Sequence, residues 1–144
     1  LEGIYKLPIS SCSDITSSRI KKNEGGQCIA MRTGATTLNW LLGDYLGSTS
    51  IITDARGNNP IKLLYKPWGE VRYSSSTPPT TFLFTGQRRE SALGGAEGLY
   101  FYGSRWFDVS LGRFAQPDTI IPQTQGPQAW DRYAGMNNNP LTSS

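Results

Sequence analysis

The chain contains no histidine, and that limits most of the chemistry its side chains could perform. Ser-His-Asp and Cys-His catalysis both need an imidazole base, and two cysteines cannot build the usual zinc arrangements. Cys12 and Cys28 stand sixteen positions apart with no Cys-x-x-Cys pattern. They are either a disulfide formed in an oxidising compartment or two unrelated thiols. Glu24-Gly25-Gly26 and the scattered glycines form neither a dinucleotide fingerprint nor a phosphate loop, so no cofactor and no metal is expected. Aromatic residues are the other chemically suggestive feature. Tyr100, Phe101, Tyr102, Trp106, Phe107 and Phe114, with Leu99 at the head of the run, crowd into residues 98–118. Tryptophan and tyrosine on an exposed β face suit carbohydrate, whereas bulk on both faces of one strand suits an interior. Read as one continuous strand, the segment puts Leu99, Phe101, Gly103, Arg105 and Phe107 on one face, and Tyr100, Tyr102, Ser104, Trp106 and Asp108 on the other. Leu99 to Phe107 is therefore expected to be a central, covered strand with Trp106 in the core.

The elements that hold these residues follow from punctuation. Gly25-Gly26, Asp44-x-x-Gly47, Asp54-x-x-Gly57, Asn58-Asn59-Pro60, Pro67-Trp68-Gly69, Pro78-Pro79 and Gly94-Gly95 recur along the chain as turn signals. Strand-like runs lie between them at Gln27 to Arg32, Thr37 to Leu42, Ser50 to Asp54, Ile61 to Lys66, Glu70 to Tyr73, Thr81 to Thr85 and Leu99 to Phe107. Sixteen glycines and nine prolines leave room for one short helix, at Pro127 to Met136. The pattern predicts an all-β protein of antiparallel hairpins. Asp44-x-x-Gly47 and Asp54-x-x-Gly57 have the shape of one repeated unit, each hairpin showing an apolar face that a neighbour must cover.

With 37% hydrophobic and 17% charged residues the chain has the composition of a folded domain, and no run of 18 apolar residues offers a membrane span. The net charge of +3 is scattered. Only Arg19, Lys21 and Lys22, and then Arg88 and Arg89, cluster, which reads as a solvated surface and not a nucleic-acid site. Ile9-Ser10-Ser11-Cys12 has the outline of a lipoprotein cleavage box, but Glu2 and Lys6 interrupt the apolar stretch such a signal needs. The chain begins at Leu1 and stops just past Asn139-Pro140, so it is expected to be a fragment, a processed product or part of something longer.

Five blocks, in order, resemble the Rhs/YD-repeat family and its repeat-associated core. Asp44-Tyr45-Leu46-Gly47-Ser48 is similar to the family's Asp-His-Leu-Gly-Ser, with tyrosine at the usual histidine. Tyr65-Lys66-Pro67-Trp68-Gly69-Glu70 is similar to its Tyr-x-Pro-x-Gly-Glu, and Phe84-Thr85-Gly86-Gln87 to its Phe-Thr-Gly-Gln. Gly98 to Asp108, followed by Leu111-Gly112-Arg113-Phe114 and Pro117-Asp118, resembles its central signature, and Asn138-Asn139-Pro140 its closing turn. The resemblance covers residues 20–144, taken as one core-like domain, and leaves residues 1–19 unassigned.

The resemblance implies a segment of a β-spiral shell that encloses and helps deliver a C-terminal polypeptide of the polymorphic-toxin kind. The setting would be bacterial, and secreted or in the cell envelope. The implied partners are upstream YD repeats, that C-terminal polypeptide and other protein subunits. A second implication is self-cleavage by a pair of aspartates, in which one carboxylate acts as base on water while the other protonates the leaving amide. Asp118 matches the first aspartate, with Thr119 at the usual proline; the second would lie beyond Asn139-Pro140. Arg113 could orient Asp118, or stack on Trp106 or Tyr102. Asp131 is set aside as a partner for Asp118. The structural role is expected for this chain, with the autoprotease, incomplete here, as the enzymatic alternative. A carbohydrate-binding or orphan envelope subunit is a further one.

Overall fold

The computed structural model describes residues 18–22, 26–119 and 131–141, and the architecture is all-β and antiparallel. Six strands form one sheet in chain order: β1 (Ser18–Lys22), β2 (Cys28–Thr33), β3 (Thr37–Gly43), β4 (Thr49–Asp54), β5 (Ile61–Tyr65) and β6 (Val71–Ser74). Four shorter strands form a second sheet: β7 (Arg88–Glu90), β8 (Leu99–Phe101), β9 (Trp106–Asp108) and β10 (Arg113–Phe114), in the order β10-β9-β8-β7. Helical turns among the described residues are the 3-10 turns Phe84–Gly86 and Met136–Asn138. The helix expected at Pro127 to Met136 lies mostly outside the described residues. Of its described end, residues 131–135 are turn, bend and an isolated bridge from Ala134 to Arg113.

Three hairpin loops share one backbone solution. The Asp44 N–H donates to the Ser48 carbonyl at 2.9 Å, and the Gly47 N–H donates back to the Asp44 carbonyl at 3.0 Å. Asp54, Gly57 and Asn58 repeat the pattern at 3.1 and 3.0 Å, and Lys66, Gly69 and Glu70 at 2.8 and 2.9 Å. In each loop the fourth residue needs positive φ, which is why glycine stands there, at +82°, +83° and +98°. Asp44 and Asp54 add an Asx turn, each Oδ1 accepting two main-chain N–H groups at 2.8–2.9 Å. The Asn58 N–H above all, with that of Arg56, holds the Asp54 carboxyl below its ordinary value. The third loop has no aspartate, and a Lys66–Glu70 ion pair at 3.1 Å spans it instead. The two-copy unit read from the sequence is thus three copies in backbone geometry.

Two expected strands take other forms. Thr81 to Thr85 is a single bridge at Phe82 followed by a 3-10 turn, because Thr85 and Gly86 adopt φ of +49° and +69° and cannot extend. Leu99 to Phe107 is a hairpin, with Gly103 at φ +83° in the bend between β8 and β9. Its position is central, as expected, but the reversal changes which residues share a face. Tyr100 pairs with Phe107 and Phe101 with Trp106. Tyr100 and Phe107, on opposite faces of a continuous strand, therefore share the core side at 1% and 0% exposure. Trp106 is half-buried on the outer side, its ring 4.9 Å from that of Phe101. The expectation of Trp106 as a core residue is corrected accordingly.

The core joins the two sheets. Met31, Leu41, Ile52 and Leu63 of the larger sheet meet Tyr100 and Phe107 of the smaller and Val109 just past β9, with Phe82, Leu83 and Phe84 from the connecting segment among them. Cys28 is buried in the same cluster, and Cys12 lies outside the described residues, as does the unassigned segment up to residue 17. Phe107→Ala should cost about 3–5 kcal/mol as a full core truncation. Trp106→Ala should cost clearly less, and urea midpoints of the two variants measured side by side check the order.

Burial raises the phenols of Tyr65, Tyr100 and Tyr102, the last two to about 12 from 10.0. The folded state keeps protons there that the unfolded chain releases, so the associated stability is intact below about pH 10 and falls as pH rises through about 12. Denaturant midpoints should fall between about pH 9 and about pH 11, and Tyr102→Phe should flatten that fall.

Candidate functional site

The site residues named above all lie where the chain leaves the smaller sheet. The β9–β10 turn is shaped by Asp108, whose Oδ1 accepts the Ser110 N–H at 2.9 Å and the Leu111 N–H at 3.3 Å. A Cβ at Gly112 would stand 2.9 Å from the Trp68 indole, so the turn packs closely only with glycine there. Beyond it, β10 presents Phe114 to the interior, its ring 5.3 Å from that of Phe107 and 5.6 Å from that of Tyr102.

The bend between β8 and β9 delivers Arg105 over that ring. Its guanidinium carbon lies 3.8 Å from the Phe114 centroid, and its Nη1 lies 3.3 Å from Asp118 Oδ2. Main-chain bonds bring Asp118 there. The Ala115 N–H donates to the Trp106 carbonyl at 2.7 Å, and Gln116 Oε1 accepts the Trp106 N–H at 2.8 Å. The Asp118 N–H donates to the Arg132 carbonyl at 2.7 Å, while Arg132 Nε donates to the Asp118 carbonyl at 2.8 Å. The Phe114 N–H donates to the Tyr133 carbonyl at 2.9 Å, which seats residues 131–134 along β10.

Arg113 and Asp118, adjacent in the sequence reading, enter different ion pairs. Arg113 Nη2 lies 3.6 Å from Asp131 Oδ2, on the exposed side of β10. Asp131, set aside as a partner for Asp118, is thereby the partner of Arg113. Arg105 performs both functions considered for Arg113, stacking on an aromatic ring and pairing with Asp118. The signal for it was in the sequence, as the arginine between Tyr102 and Trp106, but a straight strand would have aimed it elsewhere. The Asp118 side chain is 41% exposed, so water reaches a carboxylate whose orientation is fixed from one side. A carboxylate so placed can take a proton from water or share one with a second carboxylate. Among the described residues no cluster of three or more His, Cys, Asp or Glu could hold a metal ion.

The aromatic run gives most of its surface to the interior. Tyr100 and Phe107 are buried, and the Tyr102 hydroxyl hydrogen-bonds Thr85 Oγ1 at 2.5 Å. Phe101 and Trp106 remain half-open on the outer side, with the Arg88 guanidinium 5.8 Å from the Phe101 centroid.

No family model matches the chain, and no curated protein matches it. Solved structures do. A TcdB2-TccC3 structure matches over 87% of this chain with a TM-score of 0.68 at 21% identity. A TcdB2-TccC3-Cdc42 structure matches over 87% with 0.68 at 20%. A Photorhabdus luminescens Tc holotoxin pore, carrying an aspartate-to-alanine mutation in TccC3, matches over 88% with 0.61 at 18% identity. The chain spans only 6–7% of the length of these chains. At such identities the likeness establishes the fold: the two-sheet antiparallel arrangement described above is one that these Tc toxin chains contain.

Proposed function

We propose that this chain is a wall segment of an Rhs-type shell, whose role is to enclose and help deliver a C-terminal polypeptide. The observation that carries this reading is the match of 87% of the chain, at a TM-score of 0.68, to TcdB2-TccC3 chains. One matched structure of that pair is described as lacking a hypervariable C-terminal region, the kind of variable polypeptide a shell would hold. The fold suits a wall. A six-stranded meander in chain order extends by adding hairpins at its ends, and β1 and β6 are its terminal strands. Trp40, Leu42, Leu64 and Tyr73 are exposed, and strand register places them together on the sheet face opposite Leu41, Ile52 and Leu63. The setting proposed is a secreted bacterial toxin assembly with other protein subunits.

Protease protection in the natural full-length protein tests the proposal. A C-terminal polypeptide enclosed by the wall resists digestion until the shell is denatured, whereas digestion at the rate of an exposed tail would overturn the reading. Residues 1–144 expressed alone should self-associate in light scattering through open strand edges and the apolar outer face. A monodisperse monomer would favour an orphan domain.

A second reading has its own observation, the fixed and water-reached Asp118 carboxylate. We propose that Asp118 is one aspartate of a self-cleaving pair, completed by a carboxylate downstream of Pro140. Asp118→Asn in the longer natural chain should then leave a single band on a denaturing gel where wild type gives two. Two bands from the variant would remove Asp118 from the chemistry.

A further inference from the structure

We infer that the face of the six-stranded sheet turned away from the core is a docking surface for an anionic lipid bilayer. Register decides which residues share that face. Trp40 pairs with Thr53, Leu42 with Ile51, Ile51 with Lys62, and Leu64 with Tyr73. Strand alternation therefore sets all of them opposite Leu41, Ile52 and Leu63. Trp40, Leu42, Leu64 and Tyr73 are 40–51% exposed there. Large apolar side chains left open together mark a binding face, whereas single ones scattered over a surface mean nothing.

The charges on this face carry one sign. Arg32, paired with Leu38, and Lys62, paired with Ile51, are both exposed on it. Along the β1 edge the register pairs Arg19 with Arg32 and Lys21 with Ala30, which brings two further basic residues to that side of the chain. Asp54 is the acid within strands β2 to β6, and it pairs with Asn39, out of phase with Thr53 and Trp40. Its carboxylate is engaged by its own loop, through the Arg56 and Asn58 N–H groups. An occupant that fits this face must bring negative charge and an apolar phase together.

Shape favours a bilayer over an acidic protein. The apolar side chains stand out from strands β3 to β6 as a broad surface and do not line a groove. A cleft of about 430 Å³ lies beside them at the end of the sheet, and Asp54, Arg56, Asn58 and Asn59 make its lining mostly polar. A rigid protein partner gains most where an anchor fills a matching pocket, but lipid takes in protruding side chains without one. Trp40 is suited to the headgroup boundary, because its indole N–H is already given to the Ala55 carbonyl at 3.4 Å. Lysine at position 62 can lay its stem along the apolar surface and keep its ammonium among anionic headgroups. Nothing in this depends on the shell or on Asp118.

The experiment floats the natural full-length protein with vesicles of phosphatidylcholine alone, or of phosphatidylcholine mixed with phosphatidylglycerol. Binding to the mixed vesicles should be roughly 10- to 30-fold tighter, about what two cations contribute near an anionic surface, and should weaken as salt is raised. Lys62→Glu should cost roughly 5- to 25-fold on the mixed vesicles. Trp40→Ala combined with Leu64→Ala should weaken binding to both kinds, with urea midpoints confirming that the variants fold. Arg88→Glu makes the same charge change on the smaller sheet and should leave binding unchanged. Failure of the folded wild type to float with the mixed vesicles would overturn the inference. So would a loss from Arg88→Glu equal to that from Lys62→Glu, which would reduce the attraction to net charge. Soluble polyglutamate bound through Lys62 in the absence of vesicle binding would give the face to an acidic protein instead, and would also overturn it.

Discussion

The fold depends on a buried polar seam between Ser48-Thr49 and Phe82–Thr85. The Thr49 N–H donates to the Leu83 carbonyl at 3.0 Å, and the Thr49 hydroxyl donates to the Phe82 carbonyl at 2.8 Å. The Thr85 N–H donates to Ser48 Oγ at 3.0 Å, and the Tyr65 hydroxyl reaches the Thr49 carbonyl at 2.7 Å. Ser48 and Thr49 are almost wholly buried, so each of these groups must find a partner inside the protein. Leaving one unmatched costs about 1–3 kcal/mol, more than a typical hydrogen bond contributes when present. The seam therefore works as a key: the connecting segment docks in the one register that pairs every group. That register sets where the smaller sheet stands against the larger.

The seam also explains a strained residue. Thr85 is β-branched yet sits at φ +49°, a region such residues avoid at a cost of about 1–3 kcal/mol. Its main-chain N–H is held by Ser48, just before β4, and its hydroxyl by Tyr102, just after β8. Tyr102 packs edge-on against Phe107 and Phe114, so the strain at Thr85 is supported by the same aromatic cluster that carries Arg105. Gly86 follows with a Cβ position that would approach the Gly47 carbonyl to 3.2 Å. The loop of the first repeated unit and the Phe-Thr-Gly turn are in this way moulded to each other.

Electrostatics is secondary to this packing. The ion pairs Lys66–Glu70, Arg105–Asp118 and Arg113–Asp131 are all at or near the surface, where such pairs add little stability. Their interest is positional. Arg105–Asp118 stands out because an aromatic ring, held by the core, fixes one member, and a main-chain clamp fixes the other. The buried tyrosines matter electrostatically only at high pH, where burial resists ionisation of their phenols.

Local chemistry was legible in the sequence. Glycine at the fourth position of each loop, aspartate accepting main-chain N–H groups, and short apolar runs between turns are determined within a few residues. Five of the seven expected strands accordingly form within a residue or so of the expected bounds, from Cys28–Thr33 to Val71–Ser74. Thr81 to Thr85 and Leu99 to Phe107 differ because their conformation is set by distant partners. Thr85 turns because Ser48 and Tyr102 hold it there, and Gly103 reverses the aromatic run so that Tyr100 and Phe107 can face one core. The same reversal decided which arginine meets Asp118. Alternation along a strand is a local rule, and a single bend within the run changes the face of every residue beyond it. Only tertiary packing, which rewards burying two large rings on the same side, could choose between the straight strand and the hairpin.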